Sequence, residues 1–258
     1  MEYPTTTLTP FSQGLRFDGQ VVMVTGAASG IGRAVAEDFA DQGACLILLD
    51  RSEAVLETAA TLGSEHLGLI CDVTSRNQIQ QAMRQIDARW GHLDVLVNNA
   101  GVALLDAADQ ICEADWDRTL AVNLKAPFFL AQAAAPLLAR HRRGRIINLA
   151  SQAAVVALPR HAAYCASKAA LVSLTQVLAL EWAERGITVN AISPTVVETA
   201  LGRQAWAGHA GDAMRQRIPT GRFAQPEEIA AAALFLASPH AAMINGANLV
   251  IDGGYTIQ

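Results

Sequence analysis

Cysteine, charge and long apolar runs are all scarce in this chain, and each shortage excludes something. Four cysteines, at positions 45, 71, 112 and 165, form no C-x-x-C pair, and Cys45 and Cys71 fall in apolar, strand-like runs. Reduced, buried thiols are expected rather than a disulfide framework. Cys165, beside Tyr164, is a site for alkylation, but no histidine stands in a pattern that would make it a nucleophile. The six histidines show no H-E-x-x-H or other ligand spacing, so no metal is expected. Charged residues are only 17% of the chain and the net charge is −5, which supplies no electrostatic footprint for nucleic acid or an anionic membrane. The one basic cluster, Arg140-His141-Arg142-Arg143, closes a helical pattern and reads as a solvated helix terminus. No run approaches the roughly 20 apolar residues that span a bilayer. Met1 to Asp18 has no apolar signal-peptide core and is expected to be a loose arm, with a cytoplasmic location for the protein.

What is present is an apolar share of 52%, ample for a large core over 258 residues. With so little charge to cover the surface, self-association is expected. Strand-like and helical patterns alternate from end to end, with no repeats or low-complexity segments. Strands are expected at Gln20–Thr25, Ala44–Leu49, His66–Cys71, Leu93–Val97, Gly144–Ala150, Ile187–Ile192 and Ala247–Ile251. This order predicts one doubly wound α/β domain over 19–258, a seven-stranded parallel sheet with helices on both faces. Residues 195–225, rich in glycine and charge, read as a mobile lid carrying a short helix.

The first strand runs into Gly26, Ser29, Gly30, Ile31 and Gly32, and a helical pattern follows to Gln42. A glycine turn between strand and helix lets a pyrophosphate approach the backbone and meet the helix's free N–H groups. Asp50 ends the second strand, where an acidic residue can hold the adenosine ribose of NAD and repel a 2′-phosphate. Arg51 beside it works the other way.

Tyr164 and Lys168 lie four apart on a small-residue helix and so share one face. A nearby cation favours a phenolate, so Lys168 is expected to make Tyr164 a usable base. Ser151 follows a buried strand, at the sheet edge where ligands bind.

Ser151, Tyr164 and Lys168 at these spacings, with Thr25-Gly26-Ala27-Ala28-Ser29-Gly30-Ile31-Gly32, Asn98-Asn99-Ala100-Gly101 and Asn123, resemble the short-chain dehydrogenase/reductase family over nearly the whole chain. The resemblance implies a Rossmann fold, NAD as cofactor, and interconversion of a secondary alcohol and a ketone. Tyr164 would be the acid/base, Ser151 would hold the substrate oxygen, Lys168 would bind the ribose, and Asn123 would hold a water near Lys168. It further implies that Asp72 and Val73 meet the adenine edge, that the segment with Asn99 and Gly101 stiffens the sheet and passes the cofactor ribose, and that Pro194, Val197 and Thr199 meet the nicotinamide. Thr195 stands where the family usually has glycine. A homotetramer is implied as well.

The lid around Trp206 and the ending from Ile244 to Gln258 resemble sugar-alcohol dehydrogenases of the D-threitol and D-arabinitol type. The resemblance implies a short polyol as substrate, with Gln152, His161, Glu198 and Trp206 beside it. Two alternatives stay open: a 3-oxoacyl thioester reductase, which usually favours NADPH, and a non-catalytic dinucleotide-binding regulator.

Overall fold

Each strand of the sheet divides its apolar side chains between two covered faces. In β1 (Val21–Thr25), Val22 and Val24 join one buried cluster while Val21 and Met23 join another. β2 (Cys45–Asp50) repeats this with Leu46 and Leu48 against Ile47 and Leu49. β4 (Val95–Asn98) repeats it again with Val95 and Val97 against Leu96. Side chains alternate across a strand, so a strand apolar at every position must be covered on both sides. The computed structural model describes residues 15–258 and shows that arrangement. β3 (Leu67–Ile70), β5 (Gly144–Leu149), β6 (Ile187–Pro194) and β7 (Asn248–Ile251) complete a seven-stranded sheet of order β3-β2-β1-β4-β5-β6-β7, and every pairing is parallel.

One face is covered by α1 (Gly30–Asp41), α2 (Ala54–Leu62) and α9 (Pro226–Ala237). The other is covered by α3 (Arg76–Trp90), α5 (Ala126–Leu138) and α6 (Ala162–Trp182). α9 starts where Pro226 can occupy the first turn without losing a hydrogen bond, and Gln225 and Glu228 form its capping box. α3 is capped by Ser75, whose side chain accepts from Gln78 N. Asp72 instead braces the preceding turn through Thr74.

Three expectations are corrected. The arm is not loose throughout: Phe17 is fully buried, its ring 4.8 Å from that of Phe39, and its N–H bonds Gln42 O at 2.8 Å. The rest of the arm, residues 1–14, lies outside the described residues. The lid carries two helices, α7 (Ala200–Ala205) and α8 (His209–Gln216), and packs a small core of Met214, Ile218, Phe223 and Tyr255 beneath them. Two helical stretches, Glu113–Leu138 and Ala162–Arg185, are long and apolar enough by length and composition to cross a membrane. Both lie against the sheet, and their apolar side chains account for much of the second core cluster.

The first of these stretches is interrupted. Between α4 (Glu113–Leu120) and α5, residues Ala121–Lys125 form a π-helical turn with Asn123 at its centre. Such turns are mostly found at functional sites.

Candidate active site

Strand order reverses at β1, which pairs with β2 on one side and β4 on the other. In open α/β sheets ligands bind beyond the carboxyl ends of strands at such a point. A cleft of about 520 Å³ lies there.

At one end of the cleft, Gly26 and Gly30 adopt left-handed φ values of +66° and +57°. A Cβ on Gly26 would stand 2.9 Å from Asn99 Nδ2 and 3.0 Å from Ala100 Cα, so the turn closes only with glycine. Asn99 Nδ2 donates to Thr25 O at 2.9 Å and Gly26 O at 3.2 Å, stapling the ends of β1 and β4 together. Thr25 Oγ1 accepts from Asn99 N and Ala100 N, both at 3.0 Å. Ser29 caps α1 without a side-chain bond, leaving first-turn N–H groups to face an anion.

Asp50 is held by two backbone donors, Ala28 N at 3.1 Å and Ser52 N at 2.9 Å, one to each carboxylate oxygen. Its carboxylate is thereby fixed at the cleft wall beside Gly26 and Arg51. Burial pushes the Asp72 carboxyl up, but hydrogen bonds from Thr74 and the charges of Arg118 and Arg51 outweigh it, leaving the group below its ordinary value.

At the other end, Tyr164 and Lys168 project from the first turns of α6 toward Ser151, just beyond β5. Burial pushes the Tyr164 phenol up from its ordinary value, and a hydrogen bond with Ser151 works against that rise. Lys168 is buried and pushed down to about 8 by the loss of solvent. Its Nζ donates to Leu149 O at 2.6 Å and lies 5.7 Å from the centre of the tyrosine ring. The ammonium is thus held at a carbonyl on the tyrosine's side of the cleft, and the hydrogen bond with Ser151 works to lower the phenol.

A glycine turn, a fixed carboxylate and a Ser–Tyr–Lys group thus lie along the carboxyl edge of one parallel sheet and line a single cleft. A family profile described as enoyl-(acyl carrier protein) reductase matches residues 26–256. The chain is 53% identical over 247 residues to D-threitol dehydrogenase of Mycolicibacterium smegmatis, covering 94% of this chain and 95% of that one. It is 50% identical over 249 residues to the NAD-dependent glycerol dehydrogenase of Listeria innocua, covering 96% and 98%. The chain belongs to the short-chain dehydrogenase/reductase family. Among solved structures, 3-ketoacyl-(acyl-carrier-protein) reductase from Brucella melitensis complexed with NADH superposes with a TM-score of 0.88 at 32% identity, covering 93% of this chain and 99% of that one. This short-chain dehydrogenase/reductase is an oxidoreductase.

Most of the expected site residues converge. Ser29, Ile31, Val73, Asn99, Gly101, Pro194, Val197 and Thr199 line the cleft with the glycines, Asp50 and Asp72. So do Gln152, His161 and Trp206. His161 Nδ1 bonds the Pro159 carbonyl at 2.6 Å, which leaves Nε2 as the ring's remaining polar atom.

Three residues fall elsewhere. Gly32 packs α1 on the turn, because a Cβ there would come within 2.2 Å of Gly26 O. Glu198 lies off the cleft wall, 3.6 Å from the Arg215 guanidinium within the lid. Asn123 is buried behind the wall, where it accepts from Val102 N and donates to Val102 O, both at 2.8 Å, and to Ser167 Oγ at 3.2 Å. Its side chain clamps the segment after β4 to α6.

Sequence reasoning passed over Arg118, Leu105 and Leu158, which also line the cleft. Each sits on an element named for other reasons, and nothing in its local pattern marks it. Thr195, noted only as a departure from the family, lines the cleft as well.

Proposed function

We propose that the protein is an NAD-dependent polyol dehydrogenase that converts a secondary hydroxyl of a short sugar alcohol to a ketone. The observation that carries this reading is a pair of buried, unpartnered oxygens at the cleft. Gln152 Oε1 and Thr195 Oγ1 have no hydrogen-bond partner among the described residues, and both residues line the cleft next to Ser151 and Pro194. A buried oxygen without a partner costs about 1–3 kcal/mol. A turn of either side chain toward the cleft brings its oxygen to a polyol hydroxyl, whereas an apolar alcohol leaves it unpaired. The names of the two curated relatives, a threitol and a glycerol dehydrogenase, agree with this choice.

The residues present fit a nicotinamide dinucleotide. Gly26, Ser29, Gly30 and Ile31 would hold its pyrophosphate, Asp50 its adenosine ribose, Asp72 and Val73 the adenine side, and Pro194, Val197 and Thr199 the nicotinamide side. When bound, the cofactor supplies the hydride acceptor. Tyr164 takes the proton from the substrate hydroxyl, and Ser151 holds that oxygen within its reach. Lys168 binds the ribose and carries positive charge beside the phenol's side of the cleft. Asn123 fixes the backbone at Val102, against which the ribose side of the site is built.

NAD is favoured over NADP by Asp50. A phosphate placed about 4 Å from its carboxylate would meet a repulsion of about 4 kcal/mol per unit charge at an effective dielectric of about 20. The assembly is a homotetramer, supported by the exposed apolar side chains of Leu180, Met243 and Ile257, and the protein works in the cytoplasm, apart from nucleic acid and membrane. An assay of four- to six-carbon polyols with each dinucleotide tests the activity, and light scattering tests the assembly.

A further inference from the structure

At the opposite edge of the sheet, where β4 and β5 begin, three side chains from two turns meet. His92 and Asp94 follow the left-handed Gly91 that ends α3, and His141 sits in the turn after α5. Their ligand atoms all lie within 4.8 Å of one another. The length of β4, about 13 Å at 3.3 Å per residue, separates this group from the catalytic end.

The hydrogen bonds leave some of these atoms without a donor. His92 Nδ1 faces the Trp90 carbonyl at 2.9 Å, and a carbonyl only accepts, so Nδ1 carries the proton. In a neutral ring Nε2 then bears a lone pair, yet it points at Asp94 Oδ2 only 3.2 Å away. Two acceptors facing each other need a proton or a metal ion between them. Asp94 is 98% buried, since its side chain is only 2% exposed. Its Oδ2 accepts from Val21 N at 2.9 Å, whereas its Oδ1 has no hydrogen-bond partner. That oxygen faces His141 Nδ1 at 3.6 Å and Arg143 Nε at 3.4 Å.

We propose that His92, Asp94 and His141 form a divalent transition-metal site, with zinc its best-suited occupant, that ties the α3–β4 turn to the α5–β5 turn. The 3.2 Å between His92 Nε2 and Asp94 Oδ2 is close to the edge of about 3.4 Å that tetrahedral zinc requires at bond lengths near 2.0–2.1 Å. His141 Nδ1 stands 3.6 Å from the other carboxylate oxygen, so a small turn of the exposed His141 side chain completes the group. Two imidazoles and a carboxylate suit zinc, with a fourth position left to water. The Trp90 carbonyl is the outer-shell acceptor that orients His92 for binding through Nε2. Arg140 braces the scaffold by donating to Asp87 Oδ1 at 2.7 Å and to Gly91 O. Arg143, whose side chain is 60% exposed, can swing into solvent when a metal takes its place. Sequence spacing hid the group, because His141 lies on a separate connection that parallel pairing of β4 with β5 brings alongside.

The test is calorimetric titration of zinc chloride into untagged, chelator-treated protein, with cobalt(II) absorption as a second readout. One equivalent per chain is expected, and zinc should raise Tm in proportion to its binding. His92→Asn and His141→Asn should each weaken binding about tenfold or more, remove the Tm increase, and leave alcohol oxidation unchanged. His141 sits on an exposed turn, so if His92→Asn fails to fold, His141→Asn decides alone. Absence of stoichiometric binding in the unaltered protein would mean that a proton on His92 and the Arg143 guanidinium are the only cations there, and would overturn the proposal. Undiminished binding by His141→Asn would overturn it too.

Discussion

Lys168 donates its ammonium to the carbonyl of Leu149 at 2.6 Å, at the end of the strand that delivers Ser151. The cation is therefore tied to β5, while Tyr164, the proposed base, shares a hydrogen bond with Ser151. Tyr164→Phe should lower turnover by about 10² to 10⁴ and leave dinucleotide affinity nearly unchanged. Lys168→Ala should reduce both. Fluorescence titration with NADH, alongside steady-state rates, separates the two. Retention of most activity by Tyr164→Phe would falsify its assignment as the base.

The pH profile follows from the same pair. Alcohol oxidation needs the phenol deprotonated, and burial raises its pKa, so kcat/KM for oxidation should climb from neutral into alkaline pH. Ketone reduction needs the proton in place, so its rate should hold level over that range and fall only where pH passes the raised phenol pKa. Ser151→Ala removes the hydrogen bond that lowers the phenol, so the residual oxidation limb should move to higher pH. A limb that stayed put would mean Ser151 does not tune Tyr164.

Stability carries a signature of Lys168. Its folded pKa is about 8 against an ordinary 10.5. Between those values the unfolded chain binds more protons than the folded one, so unfolding free energy rises with pH across that window; below about pH 8 the full penalty of a buried charge is present. Lys168→Met removes the penalty. Its Tm relative to the unaltered protein should be highest near neutral pH and should decline as pH rises toward 10.5, which calorimetry can follow.

Gly32→Ala should cost about 1–3 kcal/mol by overpacking, because its Cβ would press on Gly26 O at 2.2 Å. The glycine turn must open to admit it, so NAD affinity should fall together with Tm. Unchanged affinity would show that the turn does not shape the dinucleotide site.

Asp50→Ala should narrow the preference for NAD over NADP. A higher kcat/KM with NADP in the unaltered protein would reverse the reading of Asp50 and give Arg51 the larger weight.

The strands were readable from the sequence because a two-sided parallel sheet writes itself as short continuous apolar runs; β1, β2 and β5 lie within a residue of where those runs place them. The glycine turn and the Ser–Tyr–Lys group were readable because their spacings are local or fixed by one helix. What escaped depends on the fold's longer reach. Asn123 is polar on an apolar face, but no local pattern reveals a π turn or a partner at Val102. Glu198 borders a motif in sequence, yet the lid's own packing turns it toward Arg215. Phe17 looked like part of a loose arm because its partner, Phe39, lies on α1. Thr195 could be seen to depart from the family, but only the cleft shows that its hydroxyl is left without a partner.

The most direct measurement of the central claim is the initial rate of NADH formation by the purified protein with threitol, glycerol and five- and six-carbon polyols, set beside simple apolar alcohols and a 3-oxoacyl thioester with NADPH. The unpartnered oxygens of Gln152 and Thr195 predict that a short polyol with NAD gives the highest kcat/KM and that apolar alcohols are poor substrates. Turnover of the thioester with NADPH, and none of any polyol or ketose with either dinucleotide, would contradict it.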